Sequence, residues 1–261
     1  MTNEKILNEL FKAGKTIKDF SVSLDIIRKN KGIPKAFGES PDYDVILANL
    51  IYTLETEEKE KGMKKAGKSD LLQAAKSVLK NAKKVCEHKP ALQRAFMCSD
   101  KQVFTDGFQA LILSGEKILD IDTNDREVFN VLKSIPEKTE NTAILPTKTD
   151  LKLVLSEFKT LYRKERPVLR INDKNNNTVI SLNADFLLNA INATGSNTLH
   201  YNYKNSIALV KAENVDFLLM PIVPRPLTEK AAGTYYYIDV DFQGVPCITS
   251  ETITVKEEIT A

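Results

Sequence analysis

The side chains that could perform chemistry are few and widely spaced. Cys86 and His88 stand two residues apart at the end of a lysine-rich segment, and Cys98 follows ten residues later. Zinc sites use four ligands in paired spacings, and this set matches no such pattern and lacks a fourth ligand. The spacing therefore favours a helix end and a buried strand cysteine over a metal centre.

Motifs for catalysis and for nucleotide binding are absent from the sequence. It contains no GxxxxGK[ST] loop, no GxGxxG after a strand and no GxSxG elbow. Asp120, Asp122 and Asp125 lack the spacing and the closing Glu of a calcium loop, which favours solvated loop charges. Because no residue stands out as a nucleophile or base, we expect a protein that is not an enzyme and needs no cofactor or metal.

Positive charge is concentrated in one segment of the chain. Residues 59–94 contain eleven Lys or Arg and three Asp or Glu, a sum of +8, so the other 225 residues sum to −6. Lys76, Lys80, Lys83 and Lys84 recur at i, i+4, i+7 and i+8, which places them on one face of a helix. The spacing predicts a cationic helix face opposite a Leu/Val stripe.

A second cationic series follows about 70 residues later on another predicted helix. Its members are Lys152, Lys159, Arg163 and Arg166. Basic side chains on a regular surface suit contacts to phosphates without recognition of bases. A solvated helix face explains the same pattern, so both interpretations stay open at this point.

Helix and strand patterns place these cations on an α+β framework. Ser69 and Asp70 begin a helix that Pro90 ends, and Thr149-Asp150 opens a helix to about Lys164. The other predicted elements are strands at 92–98, 101–105 and 108–113, a hairpin of strands 168–171 and 178–182, a helix at 184–193 ended by Gly195, strands at about 198–203, 206–211 and 215–222, and strand-like runs at 235–242 and 248–255. Residues 63–224 thus give a βαβββ motif twice, with helices on antiparallel sheet.

Composition is that of an ordinary globular protein. The 261 residues are 42% hydrophobic and 28% charged, and 37 Lys+Arg against 35 Asp+Glu leave a formal charge of +2. Three cysteines fit a reducing compartment, and the sequence leads us to expect neither a signal peptide nor a transmembrane helix. We expect a cytoplasmic protein with a helical segment 1–62, a central domain 63–224 and a β-rich tail 225–261.

Four segments together resemble bacterial β-type DNA sliding clamps. Residues 101–110, KQVFTDGFQA, resemble the strand–TDG–strand segment of these clamps, and residues 217–222, FLLMPI, look like the strand that closes their last domain. Residues 181–191 are similar to the helix before that closing hairpin, and residues 63–85 to an opening strand and helix. Their order matches one clamp domain over residues 63–224. The short form resembles phage-encoded clamp-like proteins.

The resemblance implies a DNA-clamp-like domain built from two βαβββ motifs, and a ring that encircles duplex DNA as a polymerase processivity factor. It implies that basic helices line the hole, with candidate DNA-binding residues Lys76, Lys80, Lys83, Lys84, Lys152, Lys159 and Arg163. It also implies an apolar pocket for peptides of DNA polymerase or other replication proteins, lined by Thr105, Gly107, Phe108, Gln109, Leu219, Met220 and Pro221. A purely structural interpretation explains the same residues without a peptide pocket. In it, Leu219 and Met220 are core strand residues and Asp106-Gly107 forms a tight bulge.

Some features depart from the clamp pattern. The helix 184–193 carries no Lys or Arg, and one domain stands where bacterial clamps have three, so a ring needs several copies of the chain. Two further hypotheses are therefore kept: a clamp-fold module that binds proteins without a ring, and a structural phage protein whose N-terminal helices form an assembly arm.

Overall fold

The computed structural model describes residues 60–115, 117–119, 131–202, 206–222 and 233–253. The chain divides into two compact units, Met1–Lys68 and Ser69–Ala261. The first unit is described only over residues 60–68, which contain a helical stretch at 60–65. The helices predicted within residues 1–59 lie outside the described residues, as does the cluster of Asp120, Asp122 and Asp125.

The described residues of the second unit contain three α-helices. They are α1 (Ser69–Val85), α2 (Lys148–Leu161) and α3 (Ala184–Thr194). The Thr147 side chain caps α2 by accepting from the Asp150 amide, and Asn183 caps α3 by accepting from the amides of the second and third residues after it. Gly195 ends α3 at a φ of 65°, a left-handed conformation that glycine adopts without strain.

A seven-stranded sheet forms the larger β-layer. Its strands are β1 (Phe96–Cys98), β2 (Lys101–Thr105), β3 (Gln109–Ser114), β4 (Asn141–Ile144), β7 (Thr198–Tyr201), β8 (Ala208–Ala212) and β9 (Val215–Leu219). They lie in the order β1-β2-β3-β9-β8-β7-β4, and every neighbouring pair is antiparallel. The central strands β2, β3, β8 and β9 are buried on both faces, since α1 and α3 contact one face while Phe96, Val103 and Ile112 pack with Val131 on the other.

A four-stranded sheet forms the second β-layer. Its strands are β5 (Val168–Asn172), β6 (Thr178–Asn183), β10 (Gly233–Val240) and β11 (Pro246–Ile253), in the order β11-β10-β5-β6. The β10–β5 pair is parallel and the other two pairs are antiparallel. The Arg170 guanidinium on β5 binds both carboxylate oxygens of Asp239 on β10, at 2.6 and 2.8 Å, which fixes the register of the parallel pair.

The predicted class, a mixed α+β fold with helices on antiparallel sheet, is confirmed. Two details differ from the predicted elements: the 3-10 helix Pro90–Gln93 includes residues 92 and 93, where the predicted strand 92–98 begins, and β4 was not predicted. The two-motif layout and the boundaries at 62 and 224 stay predictions. Both strands predicted in the tail are present, and β10 pairs with β5.

Within the part of the chain that the structure describes, no helix is long and apolar enough to cross a membrane. The same residues contain no group of three or more His, Cys, Asp or Glu side chains arranged to hold a metal ion. Cys86, one of the sequence candidates, donates its thiol to the Asp106 carbonyl at 3.2 Å.

Candidate nucleic-acid interface

An open groove of about 1400 Å³ is lined by side chains from α1, α2, α3 and β10. Six basic residues and only two acidic ones, Glu165 and Asp185, lie among the described residues that line it. The basic residues are Lys80, Lys84, Lys152, Lys159, Arg163 and Arg166. The excess of four positive charges attracts a polyanion, most strongly at low ionic strength.

Helix α1 contributes Lys80 and Lys84 to the groove. Its opposite side is buried through Leu72, Ala75 and Val78, so the helix cannot rotate to present other residues. Successive residues lie about 100° apart around a helix. Lys83 therefore points well away from Lys84, and neither Lys83 nor Lys76 lines the groove, although the sequence pattern grouped all four lysines on one face.

Helix α2 and the turn after it contribute the other four basic residues. The helix buries Leu151, Val154, Leu155 and Phe158, which leaves Lys152 and Lys159 on the side that lines the groove. Lys159 Nζ lies 2.5 Å from Asp185 Oδ1 on α3, and both side chains are about half exposed. An ion pair this exposed contributes little to stability, so Lys159 stays available to an anion.

The two segments predicted to form a peptide pocket are neighbours in the large sheet. Gln109 on β3 pairs with Leu219 on β9, and the Met220 amide donates to the Phe108 carbonyl at 2.9 Å. Phe108 and Met220 expose 51% and 46% of their surface, and both line the groove. Gln109 and Pro221 also line it, whereas Thr105 and Leu219 are buried and do not.

Buried Asp106 organises the turn that holds Phe108. Its Oδ1 accepts the Phe108 and Gln109 amides at 2.8 and 2.9 Å, and its Oδ2 accepts Asn81 Nδ2 and Gln109 Nε2 at 2.6 and 2.7 Å. Asn189 on α3 in turn donates to Gln109 Oε1 at 3.2 Å. The turn is therefore tied to both α1 and α3. An Asp before a Gly is a sequence signal for such a turn. Asn81 and Asn189, the side chains that tie the turn to the two helices, carry no such signal.

Two buried polar atoms on residues that line the groove lack a partner among the described residues. They are Asn192 Oδ1 on α3 and the Tyr237 hydroxyl on β10, whose residues are 8% and 3% exposed. Burial, and then the negative charge of Glu251, raises the pKa of Tyr237, so its hydroxyl stays protonated and can donate. A buried polar atom without a partner costs free energy.

Sequence reasoning missed the contribution of the tail to this groove. Tyr235, Tyr236 and Tyr237 on β10 line it, and Tyr236 stacks on Tyr162 at 3.9 Å between ring centroids. Phe186 on α3 adds a further aromatic side chain. The run of three tyrosines was the available signal, but only the pairing of β10 with β5 brings it to the groove.

Comparison with solved structures finds a partial likeness to DNA polymerase III beta subunits. One from Eubacterium rectale is 11% identical with a TM-score of 0.37, and the match covers 47% of this chain and 54% of that one. One from Caulobacter crescentus is 13% identical with a TM-score of 0.36, covering 50% and 57%. The Helicobacter pylori beta clamp bound to a DNA ligase peptide is 21% identical with a TM-score of 0.28, covering 48% and 41%.

The chain thus matches about half the length of these proteins. No protein-family model and no curated protein matches the chain.

Proposed function

We propose that this protein is a sliding-clamp-like DNA-binding protein that acts in replication as a processivity factor. It encircles duplex DNA as a homo-oligomeric ring, binds peptides of DNA polymerase or other replication proteins, and is a phage protein that works in the cytoplasm of a bacterial host. The observation that supports DNA binding is the convergence of basic side chains from α1 and α2 on one groove.

Contacts to phosphates explain how these basic residues can bind DNA without recognising its sequence. Lysine and arginine side chains on helices neutralise the backbone of a nucleic acid regardless of its sequence. Lys80, Lys84, Lys152, Lys159 and Arg163 supply these contacts from the groove, and Lys76 and Lys83 supply them from the rest of α1. The protein holds DNA through charge and topology, and the function needs no catalytic group.

The salt dependence of DNA binding tests this function. We expect log K for a duplex to fall steeply with log salt, with no preference for sequence. The double substitution Lys84→Ala and Arg163→Ala removes two groove cations and should reduce the slope by about 2. The double substitution Lys174→Ala and Lys211→Ala is the charge-matched control, since both lysines are exposed and lie outside the groove and outside α1 and α2, and it should leave the slope unchanged. No duplex binding at low salt would contradict the function.

A protein-binding module is the second candidate, favoured by the exposed pair Phe108 and Met220. Under this function the apolar pair anchors a linear peptide, and DNA is not the ligand. Met220→Glu places a charge in the apolar surface and should abolish capture of a replication-protein peptide. Lost capture by this variant, together with no duplex binding by the unsubstituted protein at low salt, would favour this function over the clamp.

A further inference from the structure

The groove combines positive charge with exposed aromatic surface, which is the pairing that binds unpaired nucleic acid. Proteins that bind single strands use a basic groove along the backbone and aromatic rings against which bases stack. Here the basic residues of α1 and α2 share one groove with Phe108, Phe186 and the tyrosines of β10. We propose that this groove binds a single-stranded segment of nucleic acid, with a base against Phe108. The inference rests on the proposed DNA-binding function and specifies the strand that the groove takes.

The distribution of charge favours a ligand with a charge on every unit. Lys152 and Lys159 lie seven residues apart on α2, about 10 Å along the helix axis. Lys80 and Lys84 contribute positive charge from a separate helix. A phosphate backbone carries charge at regular intervals and meets such dispersed cations together, whereas a peptide needs acidic residues at matching places.

Phe108 is held in a fixed position for stacking. Its amide donates to Asp106 Oδ1 at 2.8 Å and its carbonyl accepts the Met220 amide at 2.9 Å, so the backbone cannot swing away. About half of the residue is nevertheless exposed. An aromatic side chain has few rotatable bonds, so on a fixed backbone it loses little conformational entropy when a base stacks on it, and such a contact suits any base.

The substitution Phe108→Trp provides a direct test, because the chain contains no tryptophan. Titration with a dT oligonucleotide of about 16 nucleotides should quench the new fluorescence, since a stacked base quenches the indole. A blunt duplex should bind the same variant through phosphates without quenching. Phe242→Trp is the matched control: Phe242 is 44% exposed and lies outside the groove, and its fluorescence should not respond to the oligonucleotide.

Binding measured by anisotropy completes the test. Phe108→Leu keeps an apolar side chain but removes the ring, and it should weaken dT binding about tenfold while duplex binding is unchanged. Duplex binding by the Phe108→Trp variant, with no quenching of its indole by dT, would overturn the single-strand inference and leave the proposed function intact. If the unsubstituted protein bound neither dT nor the duplex, both the single-strand inference and the proposed function would be overturned. Tighter binding of a labelled peptide of alternating Glu and Leu than of dT would assign the groove to an acidic peptide instead.

Discussion

At the scale of single residues, Asp106 is the group on which the geometry of the groove depends most. It is fully buried, and the four hydrogen bonds that its carboxylate accepts come from neutral amides. Asp106→Asn replaces one acceptor oxygen with a donor that faces other donors. Because unsatisfied buried groups cost about 1–3 kcal/mol each, we expect about 2–3 kcal/mol lower stability in urea unfolding.

Asp173 provides the matched control for this substitution. Its carboxylate likewise accepts the amides of Asn175 and Asn177 in a turn, at 2.8 and 2.9 Å, but it lies in an exposed hairpin. Water replaces the lost bonds there, so Asp173→Asn should change the urea midpoint much less. Equal losses for the two variants would show that burial of Asp106 is unimportant.

The role of individual residues could be predicted only where it follows from local sequence. The TDG segment predicted a turn, which is present, and a peptide site, which stays a prediction; a backbone hydrogen bond joins Phe108 to Met220. The link from Asp106 to Asn81, 25 residues away, has no local signature. Periodicity grouped Lys76 and Lys83 with Lys80 and Lys84, because it does not specify which neighbouring helix a side chain will approach.

At the scale of elements, the strands of the tail depend on Arg170. Burial lowers the pKa of its guanidinium, but hydrogen bonds and charge from Asp239, and then Glu251, outweigh this effect and raise the net pKa. The guanidinium also lies 3.9 Å from the centroid of the Tyr237 ring. One cation therefore joins β5 to both strands of the tail.

Arg170→Met should destabilise this sheet by about 3 kcal/mol, because it leaves the largely buried Asp239 carboxylate without its cation. Hydrogen exchange should rise first in β10 and β11. The double variant with Asp239→Leu removes the unpaired charge as well and should recover much of the loss. If the double variant lost more free energy of unfolding than the two single variants lose together, this account of the pair would be contradicted.

The turn between β10 and β11 packs tightly against the end of β4. Gly244 has a φ of +86°, and an added Cβ would lie 2.8 Å from Ile144 Cγ2 and 2.9 Å from the Leu145 carbonyl oxygen. Gly244→Ala should therefore lower the melting temperature more than Gly195→Ala, which has a φ of +65° but open space around it. We expect about 1–2 kcal/mol for the backbone strain alone, and more at Gly244. Similar melting temperatures would show that the turn moves freely away from β4.

Elements with strong local signals were predicted well, and those fixed by pairing were not. Helix α1 has an N-terminal Ser-Asp and an apolar stripe, and strand β2 has the predicted bounds. The four residues of β4 are mostly exposed and show no apolar alternation, so only pairing with β7 makes them a strand. Pro90 favours the first turn of a 3-10 helix, which displaces the start of the predicted strand at residue 92.

At the scale of the whole molecule, the charge of the chain hides a strong local asymmetry. A total of +2 combines +8 over residues 59–94 with −6 elsewhere. Within the second unit, part of that basic segment lines a groove together with cations from α2. Nucleic-acid binding should therefore be confined to this side, and it should weaken sharply with salt despite the near-neutral total.

Encirclement of DNA makes a separate demand on the whole molecule, since the proposed function needs several copies of the chain to close a ring around a duplex. We expect light scattering after gel filtration to give a multiple of the chain mass at high protein concentration. Binding to a closed circular duplex should then outlast binding to a linear duplex of equal length, because a ring can slide off an end. A strict monomer with equal retention on both would remove encirclement from the proposal. DNA binding by the groove would then be tested separately, by whether the Lys84→Ala and Arg163→Ala double variant has a shallower dependence of log K on log salt.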